Sequence, residues 1–287
     1  MYEKFRKAGE IAGKALKKGL EMVGEGISYL EVAEKIENYI KEKAKIAFPV
    51  NISVNSIAAH YTPSFDDKNI FKKGDVVKID VGTHIDGYIG DTAATIEVES
   101  ESNEYGKLIE CAEKSLENAI NIIRAGIEIR EISKVIEETI KKYGFKPIKN
   151  LQGHSIERYK LHAGISIPNY FNGNKTRLKE GQIIAIEPFV TNGYGYVVNA
   201  GNGYIYQVIK RSPLTSELIK HFDGLPFAKR WLKDIYGNKI DMKLNFLIKK
   251  RLVHSYSMLV DARNGIVTQA EHTLLIEKDG CEILTKR

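Results

Sequence analysis

Cysteine is almost missing from this chain, with Cys111 and Cys281 the only two. Two thiols cannot build a disulfide framework, so a reduced, cytoplasmic setting is expected. No apolar run approaches the ~20 residues that span a bilayer, so no membrane partner is expected. The N-terminus, Met1-Tyr2-Glu3-Lys4-Phe5, reads as an amphipathic helix and has none of the apolar core of a signal peptide. The sequence contains no Gly-x-x-x-x-Gly-Lys-Ser/Thr phosphate loop, no Gly-x-Gly-x-x-Gly dinucleotide turn and no Gly-x-Ser-x-Gly elbow. Neither cysteine has a histidine close by in sequence to activate it as a nucleophile. Nucleotide-driven, dinucleotide and covalent hydrolase chemistries therefore have no foothold here.

The 287 residues suffice for one large domain or two small ones, and 43% hydrophobic with 28% charged content is that of a globular protein. The net charge of +6 is uneven. Residues 209–256 hold eleven Lys and Arg against four Asp and Glu, and the rest of the chain holds 32 against 33. One segment thus carries all of the basicity. It either faces an anionic partner such as RNA or forms a solvated helical surface. Its apolar spacing predicts three short helices: Leu214 to His221, Phe227 to Tyr236 and Met242 to Val253.

The chain repeats itself at an offset of about 100 residues. Gly26-Ile27-Ser28-Tyr29-Leu30-Glu31 matches Gly126-Ile127-Glu128-Ile129-Arg130-Glu131, within helical spacing on both sides. Further on, Gly74-Asp75-Val76-Val77-Lys78-Ile79-Asp80 parallels Gly181-Gln182-Ile183-Ile184-Ala185-Ile186-Glu187. Each run has a glycine turn, a β-branched stretch and a carboxylate six residues after the glycine. Two half-domains packed about a pseudo-twofold axis would aim Asp80 and Glu187 at one central site.

Three more residues join that pair. Asp91 returns from a turn at Asp86-Gly87, and facing Asp80 across the hairpin requires an offset or bulge of about one residue. His154 lies in Gly153-His154-Ser155-Ile156, ahead of the strand carrying Glu187, and Glu271 opens an apolar strand in Ala270-Glu271-His272-Thr273. Four carboxylates and an imidazole gather in an interior only with cations to offset their charge. This ligand set suits a pair of divalent ions and hydrolysis by an activated water. His60, in Ala58-Ala59-His60-Tyr61-Thr62-Pro63, precedes His162 by 102 residues, near the repeat offset, so the two are expected on the walls of one cleft.

On these residues the chain resembles the type 2 methionine aminopeptidases across nearly its whole length. The order Asp, Asp, His, Glu, Glu matches that family, as do Ala-Ala-His-Tyr-Thr-Pro, Gly-His-Ser-Ile, His-Ala-Gly and Glu-His-Thr. The 84 residues from Glu187 to Glu271 match the inserted helical subdomain of type 2, and the lack of a charged N-terminal extension matches archaeal members. The resemblance implies an α+β pita-bread (creatinase/aminopeptidase) fold with an internal pseudo-twofold repeat. Residues 1–208 and 257–287 would form the catalytic domain, and 209–256 the basic insertion.

The resemblance also implies roles. Asp91 and Glu271 would bridge two divalent ions (Co, Mn, Fe or Zn), Asp80 would chelate one, and His154 and Glu187 would bind the other. Glu187 would handle protons, His162 would bond the scissile peptide and stabilise the tetrahedral intermediate, and His60 would contact the peptide beyond the cut and assist the leaving amine. Phe48, Leu161 and Tyr256 would line the methionine pocket. The substrate would be nascent polypeptide N-termini with a small second residue, the enzyme a monomer, and the basic insertion a contact to the ribosome. Two alternatives stand beside this: an Xaa-Pro peptidase of the same fold, and a non-catalytic RNA- or protein-binding relative that has lost its metals.

Overall fold

The computed structural model describes residues 1–100 and 103–287. The first half begins with two helices, α1 (Tyr2–Met22) and α2 (Tyr29–Lys41), followed by strands β1 (Lys45–Val54), β2 (Ile57–Ala59), β3 (Val76–Ile85) and β4 (Tyr88–Glu97). Helix α1 buries Phe5, Ala8, Ile11, Ala12, Ala15 and Leu16, the stripe of an amphipathic helix. With Val32, Ile36 and Ile40 of α2 it covers the β1-β3-β4 sheet through Val50, Ile52, Ile79 and Val81.

The second half repeats the plan with α3 (Gly106–Ile120), α4 (Ile129–Lys142), β5 (Lys146–Pro147), β6 (Gln152–Ile156), β7 (Ser166–Pro168), β8 (Ile183–Ile186) and β9 (Phe189–Thr191). Its helices close over the same kind of apolar layer, with Ile132, Ile136 and Ile140 against Ile184, Ile186 and Leu274. The repeat holds down to single hydrogen bonds. Gly26 N donates to Phe71 O and Gly126 N to Leu178 O, each at 2.8 Å. Both glycines take positive φ, +79° and +82°, where a Cβ would be strained. Downstream, Gly74 N donates to Val98 O and Gly181 N to Ile276 O, again at 2.8 Å.

The halves differ in how the acid-bearing strand finds its mate. β3 pairs with β4 through a two-residue turn, Ile85 opposite Tyr88. β8 instead pairs with β14 (His272–Ile276), which follows β10 (Val197–Val208), the basic segment, β12 (Val253–Asp261) and β13 (Val267–Gln269). The five-stranded sheet runs β15-β14-β8-β6-β7, with β15 at Cys281–Ile283.

The basic segment departs in part from its expected helices. Ser216–Phe222 (α5), Lys233–Tyr236 (α6) and Ile240–Lys249 (α7) are α-helical. Phe227–Ala228, expected in a helix, is instead a short strand, β11, on the edge of β10, followed by a 3-10 turn at Lys229–Leu232. Val253, expected to end the last helix, begins β12. In both places ladder bonds to β10 outweigh helical spacing, and the aromatic rings of Phe222 and Phe227 stack 4.7 Å apart beneath them. No helix among the described residues is long and apolar enough to cross a membrane.

Buried hydroxyls stitch the halves together where they meet. Thr273 Oγ1 accepts from Asp91 N at 2.9 Å and donates to Asp91 O at 2.7 Å, Thr92 Oγ1 donates to Glu271 O at 2.8 Å, and Glu271 N donates to Ala93 O at 3.0 Å. Thr273→Val keeps the shape and orphans two buried backbone groups of Asp91. It is expected to cost roughly 1–3 kcal/mol of stability. Denaturant unfolding measures this, and an unchanged midpoint would mean the seam does not depend on that hydroxyl.

Candidate metal centre

The five predicted ligands arrive from five strands of the two halves, on them or at their ends. Asp80 sits mid-β3, opposite Ala93, and Asp91 sits on β4, opposite Gly82. The two aspartates are therefore diagonal neighbours on one face of an unbroken ladder, offset by two residues with no bulge, where residue spacing predicts an offset or bulge of about one residue. His154 is on β6, opposite Ala185 of β8, and Glu187 follows directly after β8. Glu271 precedes β14 and is held by the seam described above.

All five line a single cavity of about 410 Å³. His154 Nε2 lies 3.6 Å from Asp91 Oδ2 and 3.7 Å from Glu187 Oε1, too far for hydrogen bonds. One ligand atom each from Asp91, His154 and Glu271 falls within 4.8 Å of the others. Ligands about 2 Å from a shared ion have this kind of separation. Asp80 Oδ1, Asp91 Oδ1 and His154 Nδ1 are buried with no hydrogen-bond partner. Asp80 and Glu187 keep some accessible surface, but that surface faces the cavity.

The electrostatics are those of acidic groups crowded together in a buried site. Burial raises the Asp80 carboxyl to about 7. Burial, and then the neighbouring carboxylates, hold Asp91, Glu187 and Glu271 well above the usual carboxylate range. Burial lowers His154 to about 3, so its imidazole is neutral and a lone pair is available. Orphaned acceptors, mutual repulsion and one neutral imidazole together fit divalent cations, whose binding would displace the protons that the crowded carboxyls retain.

His60 and His162 line the same cavity, in keeping with the repeat offset. The His162 ring stands edge-on to His154 at 4.3 Å, and its exposed face opens to the cavity. Burial, with His162 and His254 nearby, brings His60 down to about 4, and burial lowers His162 as well. Phe48, Leu161 and Tyr256 also line the cavity, with Ile205 and Phe189 among their neighbours. Phe48 fits because Gly82 opposite it has no side chain. A Cβ there would fall 2.1 Å from the ring.

Three further residues at the site are not marked by the sequence motifs. Gln269 Nε2 donates to Glu187 Oε2 and Glu271 Oε2, each at 3.4 Å, and its place two residues before Glu271 is the one available signal. Asn51 lies opposite Asp80, and Gln207 Oε1 accepts from the Tyr256 hydroxyl at 2.7 Å. No local pattern marks either, because strands far apart in sequence bring them there.

The sequence and the fold agree with known proteins. Residues 3–223 match the model of metallopeptidase family M24. The chain belongs to metallopeptidase family M24. A methionine aminopeptidase from Pyrococcus abyssi is 45% identical over 295 residues, covering 99% of each chain. The crystal structure of a methionine aminopeptidase from Thermotoga maritima superposes with a TM-score of 0.75 at 27% identity, over 99% of this chain and 96% of that one. A prolidase from Pyrococcus horikoshii shares the fold at a TM-score of 0.66 and 23% identity, but only 61% of its length is covered.

A carboxyl whose folded pKa lies above its unfolded value near 4 favours folding when protonated and opposes it once ionised. Without metal, these four groups make stability fall as pH rises above about 4, for Asp80 through about 7. Metal needs the ionised form, so its effect has the opposite trend. Thermal unfolding of metal-stripped protein should show added Mn raising Tm more at a pH of about 7.5 than at about 5.5. An equal rise at both would contradict the carboxylate cluster as its binding site.

Proposed function

We propose that this metallopeptidase removes the N-terminal methionine from peptides and nascent proteins whose second residue is small. One observation carries the reading: five ligands from both halves converge in a cavity that also holds two neutral histidines and an apolar wall. The full-length likeness to methionine aminopeptidases supports it, and the partial coverage of the prolidase leaves the Xaa-Pro alternative without comparable support.

In this reading Asp80, Asp91, His154, Glu187 and Glu271 hold two divalent ions, drawn from Co, Mn, Fe or Zn. When bound, such ions lower the pKa of a water and polarise a carbonyl. The chain supplies the rest. Glu187 accepts a proton from the attacking water and returns it to the leaving amine. His162, neutral and beside His154, donates a hydrogen bond to the scissile peptide oxygen as charge develops there. His60, also neutral, contacts the peptide beyond the cut. Phe48, Leu161 and Tyr256 receive the flexible thioether side chain. The orienting contact of Tyr256 with Gln207 fixes the ring that bounds this pocket.

The basic insertion of 209–256 supplies a second contact, to ribosomal RNA, for an enzyme acting as a monomer in the cytoplasm. Lys249, Lys250 and Arg251 are all exposed at the end of α7. Ribosome co-sedimentation should weaken when they are replaced by neutral residues, and pelleting unchanged by that replacement would contradict this part.

Hydrolysis of Met-Ala-Ser by metal-stripped protein with metals added back tests the activity itself. Methionine is released only with metal. Release from Ala-Pro-Ser alone would instead mean an Xaa-Pro peptidase. Glu187→Gln is expected to keep the fold and lower kcat by about 100-fold or more. Near-normal turnover would remove Glu187 from proton transfer.

A further inference from the structure

Arg230 is one of the eleven cations in the basic segment, yet its side chain is only 4% exposed. It forms an ion pair with Glu37 of α2, whose side chain is 2% exposed, and Trp231 Nε1 donates to the other oxygen of Glu37 at 2.8 Å. A planar fork binds several acceptors at once, which a lysine in its place cannot do. Arg230 Nη1 donates to Thr62 Oγ1 at 2.7 Å and to Pro63 O at 2.8 Å. Thr62 Oγ1 in turn donates to Val50 O at 2.7 Å, and Val50 N donates to Glu37 Oε1 at 3.3 Å.

These bonds close on two short stretches that both reach the cavity. Val50 is two residues after Phe48, and Thr62 is two residues after His60. His60 holds φ at +66°, a sparsely populated conformation for a residue with a side chain. Such a conformation persists only when its surroundings over-determine it. On one side, Thr62 N donates to Gly203 O at 3.1 Å, and a Cβ on Gly203 would meet His60 O at 1.8 Å. Arg230 supplies the constraint on the other side, from 168 residues away.

We infer that Arg230, paired with Glu37, is a positioning residue that holds His60 in register with the metal ligands. The basic segment thereby completes the active site rather than only decorating it. This rests on the reading above that His60 contacts the substrate.

The test is a double-mutant cycle on the full-length, metal-loaded enzyme with Met-Ala-Ser, run well below Tm. Arg230→Met is expected to lower kcat/KM by about tenfold or more, since small displacements of a contacting group cost that much. The metal content stays that of the parent. In a His60→Ala background the same change is expected to lower it by less than about twofold, because its effect passes through His60. Should the methionine variant not fold, Arg230→Lys keeps the charge beside Glu37 while losing the fork to Thr62 and Pro63, and the same non-additivity is expected. Equal losses in both backgrounds, or a folded Arg230 variant with unchanged kcat/KM, would overturn the inference. A His60→Ala enzyme already equal to the parent would overturn the role of His60 as well, and that result is distinct because it appears without any change at Arg230.

Discussion

Four carboxylates pressed together in a protein interior repel one another, and the rest of the structure is arranged around holding them there. Asp80 and Asp91 come from one half, Glu187 and Glu271 from the other. Neither half can build the site alone. The seam of Thr92, Thr273 and the Glu271 amide fixes the halves within hydrogen-bonding reach, so the cost of gathering like charges is met by backbone and hydroxyl bonds rather than by the charges themselves. In the proposed reading the same repulsion would favour cations, since each ion bound would relieve it.

The repeat explains why this arrangement is rigid. Each half is a pair of amphipathic helices on a curled sheet, and each uses the same glycine-to-strand bonds to set its acid. Where the halves differ, function follows the difference. The β3–β4 hairpin supplies two of the carboxylates from diagonal positions on one face. The β8–β14 pair, separated in sequence by the basic segment, leaves room for an insertion that reaches back to the first half through Arg230.

Much of this is legible in the sequence alone. Asp80, Asp91, Glu187 and Glu271 each stand in or beside a strand where a charge is out of place, His154 stands in a short Gly-His-Ser-Ile motif, and these signals are local. The hairpin turn at Asp86-Gly87 is also local, although residue spacing suggests a bulge where the ladder has none, because register is set by pairing between strands. Phe227 and Ala228 read as helix because their spacing is helical, while their partners Tyr206 and Ile205 lie about twenty residues upstream. Gln207 and Arg230 carry no local mark of their roles for the same reason, and Gln269 has only its place two residues before Glu271. Their meaning lies in residues 49 to 193 positions away: Glu187, Tyr256, Thr62 and Glu37.

The central claim is that charges from the two halves form one dinuclear cation site. Calorimetric titration of metal-stripped protein with Mn near neutral pH, repeated in buffers of different ionisation enthalpy, measures both the ion count and the protons displaced. The account predicts two ions per chain and net proton release, because the carboxyls bind protons more tightly than free ones do. Asp91→Asn should weaken the binding of both ions. No binding, or binding without proton release that Asp91→Asn leaves untouched, would contradict it.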